Sequence, residues 1–89
     1  MKALRLTGSF TKDLRSVVRR GWPREKLDRV VDMLRTGRRL PPANRDHPLK
    51  GEWQGFRDCH IMGDWVLIYR DADDTIELVR TGTHSDLFG

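Results

Sequence analysis

One cysteine, one tyrosine and no apolar run near the roughly 18 residues of a membrane span set the first limits on this 89-residue chain. Cys59, being alone, excludes an internal disulfide and fits a reducing cytoplasm. The opening MKALRLTGSF has no sustained apolar stretch and no small-residue cleavage site, so no secretory signal is expected. Internal repeats, low-complexity segments and linkers are absent too. A chain this short buries only about 60–65 % of its unfolded surface, which leaves room for a single domain over residues 1–89. What the sequence has in quantity is charge, 34 % of residues against 37 % hydrophobic, the balance of a soluble globular protein.

That charge is unevenly placed. Residues 1–45 carry 13 Lys/Arg against 4 Asp/Glu, whereas residues 46–89 carry 4 against 9, and the net charge of +4 conceals the difference. Arginine predominates among the cations, and its planar fork matches phosphate better than a lysine point charge does. A polyanionic partner is the first inference, although solvated helix faces alone would also account for such a run.

The spacing of apolar residues divides the chain in the same way. A short strand is expected at ALRLT, followed by a helix capped by Ser9 in which Phe10, Leu14, Val17 and Val18 form one stripe. Arg15, Arg19 and Arg20 lie mostly off that stripe. Gly21 closes the helix, Pro23 opens a second, and Leu27, Val30, Val31 and Leu34 repeat the pattern up to Gly37. RRLPPANRDHP reads as a loop. From residue 50 the period becomes two, with strands at GFRDCHI, DWVLIYR and TIELVRT separated by MGD and DADD turns. These elements predict an α+β fold in which an N-terminal two-helix hairpin packs on one face of a small antiparallel sheet.

The chemistry-bearing residues gather in the acidic half. His47, His60 and His84, all the histidines present, each sit at a loop or a strand end, where side chains from separate elements can meet on one rim. Histidine serves as proton acceptor and donor near neutral pH. A three-residue turn at residues 61–63 would make His60 and Asp64 cross-strand neighbours. A second hairpin closed by residues 71–74 would place Arg80 beside Trp65 on the opposite face, so a shared site needs a bulge to re-aim one of them. No close-spaced ligand pair matches a common zinc pattern, and no metal or other cofactor is expected. Trp53, Phe56, Trp65 and Phe88 are able to stack on bases, yet aromatic residues in so small a domain more often fill the core. Cys59 points away from His60 on alternating strand geometry and reads as buried packing.

Taken in order, DHPLKGEW, GFRDCHI, DWVLIYR and the terminal RTGTHSDLFG resemble the RelE/YafQ-type bacterial toxins, specifically the YafQ branch. The resemblance is strong over residues 44–89 and reduces to helix-hairpin pattern and length before that. It implies the RelE-like fold and a ribosome-dependent endoribonuclease that cuts messenger RNA in the ribosomal A site. It also implies a cognate antitoxin as partner and, with the antitoxin, operator DNA. Carried over by motif, the active-site positions are His47, His60, Asp64, Arg80 and His84, with Trp65 and Phe88 toward the RNA. His84 and either His47 or His60 then form the acid/base pair, with Asp64 orienting or accepting a proton and Arg80 facing the phosphate. The basic first half, Arg15, Arg19 and Arg20 in particular, is expected to dock on 16S ribosomal RNA. Two other functions remain to be weighed, a gyrase-inhibiting toxin of the same fold and a non-catalytic RNA-binding domain; neither needs a histidine cluster.

Overall fold

The computed structural model describes all 89 residues. In chain order its elements are β1 (Ala3–Leu6), α1 (Gly8–Arg19), α2 (Arg24–Arg35), β2 (His47–Pro48), β3 (Arg57–Met62), β4 (Trp65–Asp71), β5 (Thr75–Thr83) and α3 (His84–Phe88). Single 3-10 turns at Pro42–Asn44 and Gly51–Trp53 punctuate the connection between α2 and β3. The strands form one sheet in the order β1-β5-β4-β3-β2. All neighbours are antiparallel except β1, which lies parallel to β5. The expected α+β fold is therefore present, with a mixed sheet instead of a purely antiparallel one: β1 reaches the far edge and needs α1, α2 and the other strands before β5 can pair with it.

Helix α1 starts two residues earlier than a Ser9 cap would give, because the Thr7 hydroxyl, not Ser9, accepts the Phe10 amide. Phe10 and Val17 are buried, while Val18 at the edge of the stripe is half in solvent. In α2 all four stripe residues, Leu27, Val30, Val31 and Leu34, are buried. Both helices cover one face of the sheet, where they meet Cys59, Ile61, Trp65, Leu67, Tyr69, Ile76 and Leu78. Full burial of an aliphatic side chain contributes about 1.5–3 kcal/mol, so this layer is the main source of cohesion. The other face is thinner: Val66, Ile68 and Leu87 are its buried members, flanked by Leu49, Trp53, Phe56 and Val79.

Both hairpin registers differ from those expected, for identifiable reasons. The first hairpin turns on Gly63 and Asp64, with Gly63 at φ +52, so Met62 pairs with Trp65. A register shift between His60 and Met62 then sets His60 opposite Val66, and Asp64 is a turn residue instead of a cross-strand neighbour of His60. The register of the second hairpin is displaced by two residues, Tyr69 pairing with Leu78 and Asp71 with Ile76, which preserves the faces. Beyond it a bulge between Ile68 and Tyr69 brings Arg80 opposite Ile68 instead of beside Trp65.

Candidate active site

The register aligns two rungs across the sheet. His47 lies opposite Asp58, Asp58 opposite Ile68 and Ile68 opposite Arg80; one step along, His60 lies opposite Val66 and Val66 opposite Gly82. Helix α3 caps the end of these rungs. The Thr83 hydroxyl accepts the Asp86 amide and the Asp86 carboxylate accepts the Thr83 amide, a capping box that starts the helix at His84. Gly82 leaves room for it, since a Cβ there would lie 3.0 Å from Asp86 Oδ2. The terminal residues thus fold back over the sheet, anchored by Leu87.

This arrangement brings the His60 and His84 rings to 5.1 Å between centroids, with Phe88 6.1 Å from His84 and Trp53 6.2 Å from Phe88. His84 Nδ1 is hydrogen-bonded to Asp64 Oδ1, and that bond is the first cause holding the exposed Asp64 carboxyl below its usual range. An ionised carboxylate only accepts, so Nδ1 carries the hydrogen and Nε2 is left for chemistry. His47 repeats the logic: its Nδ1 lies 2.7 Å from the Arg45 carbonyl oxygen, which accepts, and Nε2 is free. Arg45 itself sits at φ 47 and ψ 44, a left-handed turn that delivers His47 to the strand.

The remaining expected residues fall elsewhere. Arg80 does not join the rings; its Nε and Nη2 donate to Asp13 on α1 at 2.6 and 3.2 Å, and the Thr81 amide donates to the same carboxylate at 3.1 Å. Asp13 is the first cause of the raised Arg80 pKa, so the guanidinium stays charged. Arg20 donates to Asp86 at 2.9 Å and covers the Trp22 ring at 5.1 Å, whereas Arg15 and Arg19 are exposed on α1. Trp65 requires a correction as a base-stacking platform. It is 2 % exposed, packs 5.2 Å from Trp22 on the helix side and donates its indole N–H to Thr81 Oγ1, which in turn donates to the Val66 carbonyl. Phe88, 42 % exposed beside His84, keeps an open face.

One residue at the site escaped sequence reasoning. Asp58 is buried on the histidine face, its Oδ1 without a hydrogen-bond partner. Burial pushes its carboxyl up, and His47, His60 and His84 pull it back in that order. The signal was available in RDCHI, where an aspartate two residues before a histidine in a strand must share its face. Cys59, between them, is fully buried on the helix side, and burial pushes its thiol far up, which makes it inert. No group of three His, Cys, Asp or Glu side chains is arranged to hold a metal ion.

Comparison with known proteins adds the lineage. Residues 2–89 match the family described as bacterial toxin of type II toxin-antitoxin system, YafQ. The chain belongs to the YafQ toxin family. Among its YafQ relatives, the mRNA interferase toxin YafQ of Escherichia coli (strain K12) is 39 % identical over 84 residues, covering 93 % of this chain and 91 % of the relative. A copper-bound mutant toxin from Helicobacter pylori superposes with a TM-score of 0.95 at 42 % identity, covering 99 % of this chain and 100 % of that one. YafQ in the E. coli DinJ-YafQ toxin-antitoxin complex gives 0.91 at 37 % identity, covering 99 % and 98 %. The likeness extends over the basic first half, where motif resemblance alone had been weak. No helix is long and apolar enough to cross a membrane.

Proposed function

We propose that this YafQ-family toxin is an endoribonuclease that cuts messenger RNA in the ribosomal A site and is restrained by a cognate antitoxin. Its relative in E. coli is an mRNA interferase and is seen bound to DinJ, which supports both the activity and the partner. The observation that carries the chemistry is the convergence of His60, His84, Asp64 and Phe88 on one rim, with His47 on the adjoining rung.

Cleavage without a metal uses the ribose 2′-hydroxyl as nucleophile. Its proton passes to a neutral imidazole, His47 or His60, as the 2′-oxygen bonds to phosphorus. The bond from phosphorus to the 5′-oxygen breaks, and that oxygen takes a proton from His84, leaving a 2′,3′-cyclic phosphate and a 5′-hydroxyl. Asp64 fixes the His84 tautomer by accepting from Nδ1. Arg80 would have to exchange Asp13 for the phosphate to stabilise the pentavalent state. Phe88 stacks on a base. Arg15 and Arg19, free on α1, are suited to 16S ribosomal RNA, and with its antitoxin the toxin is suited to operator DNA.

Expression of the toxin with and without its neighbouring gene, followed by mapping of messenger ends, tests this reading. New 5′-hydroxyl ends are expected, together with growth arrest relieved by the neighbour; arrest without new ends would favour a gyrase inhibitor, and RNA binding without cleavage a plain binding domain. Chelators should leave the rate unchanged, whereas inhibition reversed by added metal would overturn the metal-free mechanism.

A further inference from the structure

Arg80 starts on one face of the sheet and ends beside the other. By register it lies opposite Ile68, on the rung that continues through Asp58 to His47, so its backbone belongs to the histidine side. Strand β1 stops at Leu6, opposite Leu78, which leaves the edge of β5 beyond that point without a neighbouring strand. Across this open edge the Arg80 side chain reaches α1, where Asp13 Oδ2 accepts from Nε at 2.6 Å and Oδ1 from Nη2 at 3.2 Å. Asp13 has no other cationic partner, and its one further bond is from the Thr81 amide, an edge donor with no strand to take it. The pair is not sealed in. The Arg80 and Asp13 side chains are 30 % and 17 % exposed, beside a polar cavity of about 230 Å³ lined also by Ser16, Arg20 and Asp86. Arg20 is itself tied to Asp86, so neither of those groups competes for the pair.

Two carboxylate oxygens gripping Nε and Nη2 reproduce the bidentate contact that a guanidinium makes with phosphate. We propose that Asp13 is the positioning residue of Arg80, an internal stand-in for the RNA phosphate that holds the guanidinium outside the cleft in the free toxin and yields it to a phosphodiester at the histidine rim. The proposal rests on the nuclease reading. Asp13 lies on the helix that covers the opposite face, so the guanidinium serves one anion at a time. RNA is therefore bound against a competing carboxylate, because only the fraction of toxin with Arg80 released is ready to receive it. The affinity for RNA rises when that carboxylate loses its charge.

The competition is read on programmed ribosomes with messenger that cannot be cut, carrying a 2′-deoxy sugar at the scissile nucleotide. Asp13→Asn keeps an acceptor for the Thr81 amide and removes the charge. It should bind about 10-fold more tightly than wild type, the low end for charge-assisted bonds because both partners reach solvent. In an Arg80→Ala background Asp13→Asn should gain nothing, which separates the release of Arg80 from the general effect of one less negative charge. Weaker or unchanged binding by Asp13→Asn, or an equal gain with and without Arg80, would overturn the proposal. Electron cryomicroscopy of the wild-type toxin on the same ribosomes covers the case in which the variant does not fold. Arg80 should have left Asp13 for a messenger phosphate; a guanidinium still bonded to Asp13 sinks the exchange. Neither measurement needs cleavage, so a wild-type toxin that leaves ordinary messenger intact counts against the nuclease reading alone.

Discussion

On the side covered by α1 and α2, strands β3 to β5 present Cys59, Ile61, Leu67, Tyr69, Ile76 and Leu78, every one nearly or wholly out of solvent. On the reverse side the same strands present Asp58, His60 and the bulged Arg80 segment, over an apolar cluster with three buried members. Strand alternation alone separates them, so neighbours such as Cys59 and His60 serve different ends. The helix side gathers the apolar area that stabilises the fold. The histidine side holds an unpaired buried carboxylate and a ring pair at 5.1 Å, arrangements that add little to the stability of the fold. Stability and activity should therefore respond to different substitutions.

The largest effect is expected on the histidine side. His84→Ala should reduce cleavage by about 10²–10⁴-fold and leave the thermal midpoint within a few degrees; a double-digit fall would show that α3 and its histidine are structural and would erase the contrast. Leu67→Ala should do the reverse. Leu67 is 0 % exposed, and truncating such a side chain costs about 2–5 kcal/mol. Urea titration should record that loss, while the cleavage rate per folded molecule stays near wild type. Trp65→Phe tests the residue expected toward the RNA and found buried on the helix side. It keeps the ring and loses the indole N–H bond to Thr81, at a cost of about 1 kcal/mol. Unchanged stability with cleavage lowered tenfold would return Trp65 to the RNA.

How far this division could be read from sequence depends on the range of the interactions involved. The helices and strands follow from local periodicity, and the face of each residue in β3 follows from Cys59 and Ile61 alternating with Asp58 and His60. Register does not, because the Gly63-Asp64 turn and the bulge before Arg80 are set by pairing across strands. Hence Asp64 was expected beside His60 and is instead bonded to His84. The parallel pairing of β1 with β5 spans the whole chain and leaves no local trace. Helix α3 was written in Thr83-His84-Ser85-Asp86, a capping box too short to register as an apolar stripe. Asp13 as the partner of Arg80 joins residues 67 apart, a separation that no local pattern spans.

The smallest effect concerns how α3 is held over the histidine side. The Arg20 hydrogen bond first, and the Thr83 amide next, lower the Asp86 carboxyl to about 2 from its ordinary 3.8. A depressed carboxyl stabilises the folded form at every pH above its unfolded value and loses that contribution as pH falls through about 2. The pair is largely exposed, so its contribution is modest and screened by salt. Amide protection factors in α3 should consequently be constant between pH 5 and 8 and drop only on strong acidification. Were they to change within that neutral interval, the docking of α3 would itself titrate, and a pH–rate profile could no longer be assigned to proton transfer by the imidazoles alone. Constant protection, by contrast, leaves the histidine side as the source of any pH dependence and the helix side as a fixed platform beneath it.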